Sequence, residues 1–183
     1  MASPQYYHLV LALLATTLFI NPAWTDEATQ NLIDHICRQM EEYAFCDNTF
    51  NQNLKGRRAD MAALTLITIE QAVSHATDTH SFIALLLKKA TDPAEKEALT
   101  TCEDAYRLVM GGFQEAAAVF FLKDYDSMLL SMRPAPRAQA GCTAIFNTPP
   151  NPASPVGDRN RQMRILIAMA IAAGTDLTRP LDL

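Results

Sequence analysis

Residues 92–124 read DPAEKEALTTCEDAYRLVMGGFQEAAAVFFLKD, and this stretch decides the fold class. It opens with Asp as a helix cap, Pro at the first helical position and Glu three residues after the cap, which is the signature of a helix N-terminus. Apolar residues then recur at intervals of three and four, the spacing that aligns one face of an α-helix. The stretch therefore predicts a helix over 93–123 that is packed in a bundle. The apolar residues are Leu99, Cys102, Tyr106, Val109, Phe113, Ala116 and Phe120.

Two glycines, Gly111 and Gly112, lie inside this predicted helix. Each should cost about 1 kcal/mol of helix stability relative to Ala. A close crossing with another helix would explain why the pair is there.

The preceding segment, residues 60–91, carries the same spacing. Asp60 can cap its N-terminus, and His80 fills the one missing place in the apolar series, which predicts a packed histidine. Further upstream, residues 27–45 predict a helix, and a short returning segment that ends near residue 58 completes a helical hairpin. The apolar series is Ala62, Leu66, Ile69, Val73, Ala76, Ile83 and Leu87.

A third bundle helix is predicted over 124–146, but Pro134 and Pro136 interrupt it. Each proline removes an amide donor and clashes with the preceding turn. We therefore expect a helix to about Met132, a break, and a short resumption toward Cys142.

Residues 147–157 (NTPPNPASPVG) predict a rigid loop, and a last helix follows over 159–174. It should turn Met163, Ile167 and Ala170 inward. The predicted fold class is all-α: an antiparallel four-helix bundle with an N-terminal helical hairpin and two disulfides.

Residues 9–20 (LVLALLATTLFI) form an apolar stretch near the start of the chain. It is shorter than the roughly 20 residues that a membrane-spanning helix needs, and it is typical of a secretory signal. We therefore divide the chain into a signal peptide, residues 1–25, and one domain, residues 26–183. No second long apolar stretch follows, so the sequence predicts a secreted protein without membrane attachment after cleavage.

The four cysteines predict disulfides, because an even number in an exported chain favours disulfides over metal binding or thiol chemistry. Cys37 and Cys46 lie on opposite sides of a predicted turn, whereas Cys102 and Cys142 lie on two bundle helices. Of the three connectivities, these positions favour Cys37–Cys46 and Cys102–Cys142. On the chain-entropy model the two closures stabilise the fold by roughly 3 and 4 kcal/mol.

The acidic residues outnumber the basic ones, 20 against 15, which gives a formal net charge of −5. An acidic chain does not suit nucleic acid as a partner. A basic protein partner is compatible with it.

The chain carries few residues that could perform catalysis. His75 and His80 are five positions apart and do not share a helix face as two metal ligands would. No G-x-S-x-G, P-loop or dinucleotide-binding glycine pattern occurs, and disulfide formation leaves no free thiol nucleophile. The sequence predicts no enzyme, no metal and no cofactor.

One alternative is a small-molecule carrier with a ligand held between helices. Methionines at helical spacing could line such a site, although they more often fill a core. An internal apolar cavity of several hundred Å³, about the size of a ligand site, would favour the carrier. The methionines are Met61, Met110, Met128, Met132, Met163 and Met169.

The order and spacing of these features resemble the plant invertase and pectin methylesterase inhibitors, from about residue 30 to residue 175. Within that family the chain is most similar to the pollen-allergen branch of invertase inhibitors, which shares D-P-A before the third cysteine and D-Y-x-S after its helix. The motifs that carry the resemblance are Leu32-Ile33 before Cys37-x8-Cys46, Cys102-x3-Tyr106, Asp124-Tyr125, Cys142-x3-Phe146, Ser154-Pro155 and Arg159-Asn160.

The resemblance implies a protein that docks over the active site of a cell-wall carbohydrate enzyme, a pectin methylesterase or an acid invertase, in a 1:1 complex. It also implies an extracellular location in the apoplast, or the vacuole. The better-studied invertase inhibitors carry Pro-Lys-Phe after an Asp at the position of Asp124, which implies a partner contact at Asp124, Tyr125, Asp126 and Ser127. Here Tyr-Asp-Ser replaces Pro-Lys-Phe, so the exchange removes a cation and adds an anion.

Overall fold

The computed structural model describes residues 25–149, 151 and 153–179, and the predicted signal peptide lies outside them except for Thr25. Helices account for most of these residues, and none of them is in a strand. The helices are α1 (Glu27–Cys37), α2 (Tyr43–Asn53), α3 (Met61–Lys89), α4 (Pro93–Phe120), α5 (Tyr125–Met132), α6 (Ala135–Phe146) and α7 (Gly157–Thr178).

The bundle has four members: α3, α4, the consecutive helices α5 and α6, and α7. The helix α3 packs against α4 and α7, α4 packs against α5 and α6, and α7 closes the bundle against α5 and α6. The α1–α2 hairpin contacts α3 and α7 from outside. The predicted all-α fold class is confirmed.

The predicted caps of the two long helices are confirmed. Asp60 accepts a hydrogen bond from the Ala63 amide at 2.8 Å, and Asp92 accepts one from the Glu95 amide at 3.0 Å. Each bond satisfies an amide that has no partner inside the helix. The helix α4 ends at Phe120, three residues before its predicted end. The chain turns there, and Lys123 adopts a φ of 59°.

The boundaries predicted for the hairpin were wrong. The first helix ends at Cys37 instead of residue 45, and the returning segment is a full helix, Tyr43–Asn53. The turn at 38–42 reverses the chain early enough to bring the Cα atoms of Cys37 and Cys46 to 5.5 Å, where the predicted disulfide joins them.

The break at the prolines is shorter than expected. Only Arg133 and Pro134 separate α5 from α6, and the resumed helix has 12 residues. Pro136 lies in the first turn of α6, where an amide donor would have no helical partner, so it does not interrupt the helix. This geometry places Cys142 against α4, with its Cα 4.5 Å from that of Cys102 in the second predicted disulfide.

The apolar face predicted for α4 is fully buried, but the face predicted for α3 was only partly right. Four of the predicted residues are only half-buried: Ala62, Leu66, Val73 and Leu87. Threonines occupy some of the buried positions instead. Their hydroxyls bond to the helix backbone: Thr65 donates to the Met61 carbonyl at 2.8 Å, and Thr68 donates to the Thr65 carbonyl at 2.7 Å. A threonine whose hydroxyl is satisfied in this way can be buried at little cost.

The helix α7 begins two residues before and ends four residues after the predicted span. Met163, Ile167 and Ala170 are buried as predicted. Two arginines in its first turns contact acidic residues of the hairpin turn. Arg164 donates to both carboxylate oxygens of Glu41 at 2.8 and 3.0 Å, and Arg161 bonds to Glu42.

Asn160 of α7 is the centre of a buried polar network. Its side-chain oxygen accepts from the Tyr106 hydroxyl at 2.8 Å, and its amide group donates to Cys142 Sγ at 3.2 Å. Its backbone carbonyl accepts from the Gln139 side chain at 3.1 Å. The network joins α4, α6 and α7 at the second disulfide.

Candidate functional site

The turn between α4 and α5 holds the residues predicted to contact a partner, and their exposure differs. Asp124 and Asp126 are exposed, whereas Tyr125 and Ser127 are half-buried. The Tyr125 ring packs on Phe120 with the ring centroids 5.7 Å apart. Asp126 therefore offers an exposed charge from the first turn of α5.

Asp124 also has a structural role, because it caps the N-terminus of α5. Its carboxylate accepts from the Ser127 amide at 3.1 Å. Hydrogen bonding with Ser127 lowers the pKa of Asp124 below its ordinary value, so this group stays ionised on mild acidification. The turn thus presents two carboxylates, Asp124 and Asp126, to solvent.

The apolar part of this turn was not predicted from the sequence. Phe121 is 67% exposed and Leu122 is 77% exposed, and both belong to the connection that was predicted to be helical. Lys123 follows in a left-handed conformation that non-glycine residues adopt seldom. We call residues 121–127 the α4–α5 turn.

A signal for these residues was present in the sequence. Phe120, Phe121 and Leu122 are consecutive, and consecutive positions on an α-helix point about 100° apart. Three large apolar residues in a row therefore cannot all face one core. Phe120 is buried, and the next two side chains are exposed.

The α4–α5 turn is held by close packing beneath it. Phe121 meets Phe120 edge to face at a centroid distance of 5.6 Å. Two turns before the end of α4, Gly112 lies against the backbone of Ser131 in α5. A surface of this kind loses little conformational entropy on binding, because its backbone is already fixed.

The histidines of the described residues lie in different surroundings. His75 lies between α3 and α7, with Nε2 3.1 Å from the Gln162 side-chain oxygen, and its burial lowers its pKa. His80 is half-buried, which fits the predicted packed histidine. Across residues 25–149, 151 and 153–179, no three His, Cys, Asp or Glu side chains are grouped as metal ligands.

The methionines fill the core, as expected for this residue type. Met128, Met132, Met163 and Met169 are fully buried, and Met61 and Met110 are half-buried. Over the part of the chain that the structure describes, no helix has both the length and the apolar character that a membrane span requires.

Comparison with known proteins places these features in a family. Residues 31–172 match the family described as plant invertase/pectin methylesterase inhibitor. A protein of Platanus acerifolia named "Putative invertase inhibitor" is 32% identical over 130 residues, which covers 71% of this chain and 73% of that protein. A "Pectinesterase inhibitor" of Actinidia deliciosa is 27% identical over 146 residues, with 78% and 79% covered.

Solved structures agree on the fold. The crystal structure of a mutant form of an Arabidopsis pectin methylesterase inhibitor superposes with a TM-score of 0.69 at 20% identity, over 78% of this chain and 95% of that one. An inhibitor requires a complementary surface and no chemistry, and the described part of this chain offers a bundle with two disulfides and an exposed turn. The chain belongs to the plant invertase/pectin methylesterase inhibitor family and is an inhibitor of cell-wall enzymes, not an enzyme.

Proposed function

We propose that this chain is a secreted inhibitor that covers the active site of a pectin methylesterase or an acid invertase, one inhibitor to one enzyme, and that the α4–α5 turn contacts the enzyme. The proposed mature protein is residues 26–183, released into the apoplast or the vacuole after removal of residues 1–25. It binds neither nucleic acid nor membrane. The invertase alternative is supported by the 32% identity to the Platanus protein, and the methylesterase alternative by the 27% identity to the Actinidia protein.

The observation that carries the proposal is the exposure of Phe121 and Leu122 in the α4–α5 turn. Burying an exposed apolar side chain in a partner stabilises a complex by roughly 1.5–3 kcal/mol, and a few such anchors dominate most interfaces. The carboxylates of Asp124 and Asp126 beside these anchors would select for a basic rim on the enzyme.

The test measures inhibition of a purified pectin methylesterase and a purified acid invertase by the protein with both disulfides formed. Leu122→Asp should weaken inhibition of the true target by about tenfold or more, because a charge replaces a buried anchor. Leu85→Asp is the matched control, since Leu85 is also an exposed leucine, at 55%, but lies on α3 away from the turn.

Equal inhibition by Leu122→Asp and the unmodified protein would remove the turn from the interface. Inhibition of neither enzyme by the unmodified protein would contradict both proposed targets. Light scattering of the purified complex tests the 1:1 ratio, which a mass other than that of one inhibitor plus one enzyme would disprove.

A further inference from the structure

A groove of about 580 Å³ lies between α6 and α7, with the end of the hairpin as one wall. Its surface is mainly apolar: Ile167, Ala168 and Ile171 of α7 face Pro136 and Ala140 of α6, and Met40 borders them. Ligand sites in proteins have volumes of about 300–1,000 Å³ and are lined in this way, by apolar side chains with a few polar groups. None of the α4–α5 turn residues lines this groove.

Two small side chains, Ala140 of α6 and Ala168 of α7, line the groove, and larger side chains at these positions would fill it. Both alanines are exposed to solvent, although they lie on neighbouring helices of the bundle. Four of the methionines that could have lined an internal cavity, Met128, Met132, Met163 and Met169, are fully buried. The groove lies on the surface of the bundle, between α6 and α7.

The charged groups at the groove differ in how well they are paired. Arg164 is engaged by both oxygens of Glu41, so its charge is already compensated. Asp176, near the end of α7, is 16% exposed, and its buried Oδ2 has no hydrogen-bond partner. His35 Nε2 lies 3.3 Å from that oxygen without forming a hydrogen bond, and the His35 ring is charged only when protonated.

A partly buried carboxylate without a full set of partners favours a cation nearby. We propose that the α6–α7 groove binds a small apolar molecule that carries a positively charged amine. The apolar body lies on Ala168 and Ile171, and the amine lies toward the carboxylate of Asp176. This site is separate from the inhibitory function and does not depend on it.

The test uses naphthylmethylamine as the cationic probe, with naphthylmethanol and naphthylacetic acid as neutral and anionic probes of similar size. Binding to the full protein is followed by amide chemical shifts and by calorimetry. The amine should bind roughly fivefold to tenfold more tightly than the alcohol, and the acid should bind least, with shifts centred on α7 and α6.

Two variants fill the groove and one removes the charge. Ala168→Trp and Ala140→Leu, both at exposed positions, should abolish binding of all three probes, whereas Ala118→Trp on the exposed face of α4 should not. Asp176→Asn should keep the apolar binding and lose the preference for the amine. Thermal unfolding of each variant shows that it is folded.

Several results would overturn the proposal. Unchanged binding by both groove-filling variants would place the probe elsewhere, and equal affinities for amine and acid would remove the role of Asp176. The absence of binding by any probe to the unmodified protein would show that the groove is not a ligand site.

Discussion

The backbone of Gly112 in α4 lies against the carbonyl oxygen of Ser131 in α5. A Cβ atom built on Gly112 would be 2.6 Å from that oxygen, whereas one built on Gly111 would meet nothing within 4 Å. Of the two adjacent glycines, the helix crossing therefore requires only Gly112. The close approach of α4 to α5 fixes the helices that carry the α4–α5 turn.

We expect Gly112→Ala to destabilise the protein. The added methyl group meets backbone, which cannot move aside as a side chain can, and overpacking of this kind costs about 1–3 kcal/mol. Gly111→Ala is the control and should stabilise by about 0.5–1 kcal/mol, because Ala is the better helix former at an open position. Urea unfolding measures both, and a Gly112→Ala variant at least as stable as Gly111→Ala would contradict the crossing.

We expect Tyr106→Phe to lower stability by about 1–3 kcal/mol, because the side-chain oxygen of the buried Asn160 loses its donor. Burial raises the pKa of Tyr106, so the hydroxyl remains a donor through the neutral range. Thermal unfolding should show a Tm lower by roughly 2–4 °C per kcal/mol. Tyr125→Phe is the control, since that ring packs on Phe120; similar losses in the two variants would argue against the network.

Arg164 and Glu41 should couple energetically, because their contact joins the hairpin to α7 through both oxygens of the carboxylate. A double-mutant cycle with Arg164→Ala and Glu41→Ala should give about 0.5–1 kcal/mol, less at high salt. The pair Arg107–Asp104 within α4 is the control and should give less than about 0.5 kcal/mol. A coupling no larger than that of the control would show that the pair does not hold the hairpin.

His75 should make stability depend on pH. Burial lowers its pKa below the ordinary value of 6.5, although the Gln162 hydrogen bond opposes the shift. As the pH falls below 6.5, the unfolded chain takes up a proton before the folded protein does, so the free energy of unfolding decreases. Between pH 7 and pH 5, the free energy of unfolding should decrease less for His75→Gln than for the unmodified protein. The value of each protein at pH 8 serves as its reference. Equal losses would mean that other groups cause the acid sensitivity.

The negative charge of Asp126 in the α4–α5 turn should weaken inhibition of an invertase. Asp126 would bring a negative charge toward the catalytic carboxylates of such an enzyme, and like charges at an interface cost several kcal/mol. Replacing Tyr125-Asp126-Ser127 by Pro-Lys-Phe should therefore strengthen invertase inhibition, because the exchange removes this negative charge and adds a positive one. Strong invertase inhibition by the unmodified protein that the replacement leaves unchanged would refute this role of the turn.

Local patterns in the sequence were sufficient for the fold class. The caps at Asp60 and Asp92, the apolar spacing of α4 and the break near Pro134 are each set by residues within a turn or two, so they can be recognised without the rest of the chain. The disulfide partners also followed from position, because only one pairing joins a short turn and two neighbouring helices. The length of α1 did not follow, since its end is set by where α2 packs.

The features that depend on contacts between distant residues became visible only in the tertiary structure. The sequence shows two glycines but not that only Gly112 meets Ser131, and it shows apolar and threonine residues in α3 without showing which of them face the core. The exposure of Phe121 and Leu122, the pairing of Arg164 with Glu41 and the groove beside Asp176 have the same origin. Each depends on how two helices are placed against each other, and that placement is a property of the packed chain, which no local stretch of residues determines alone.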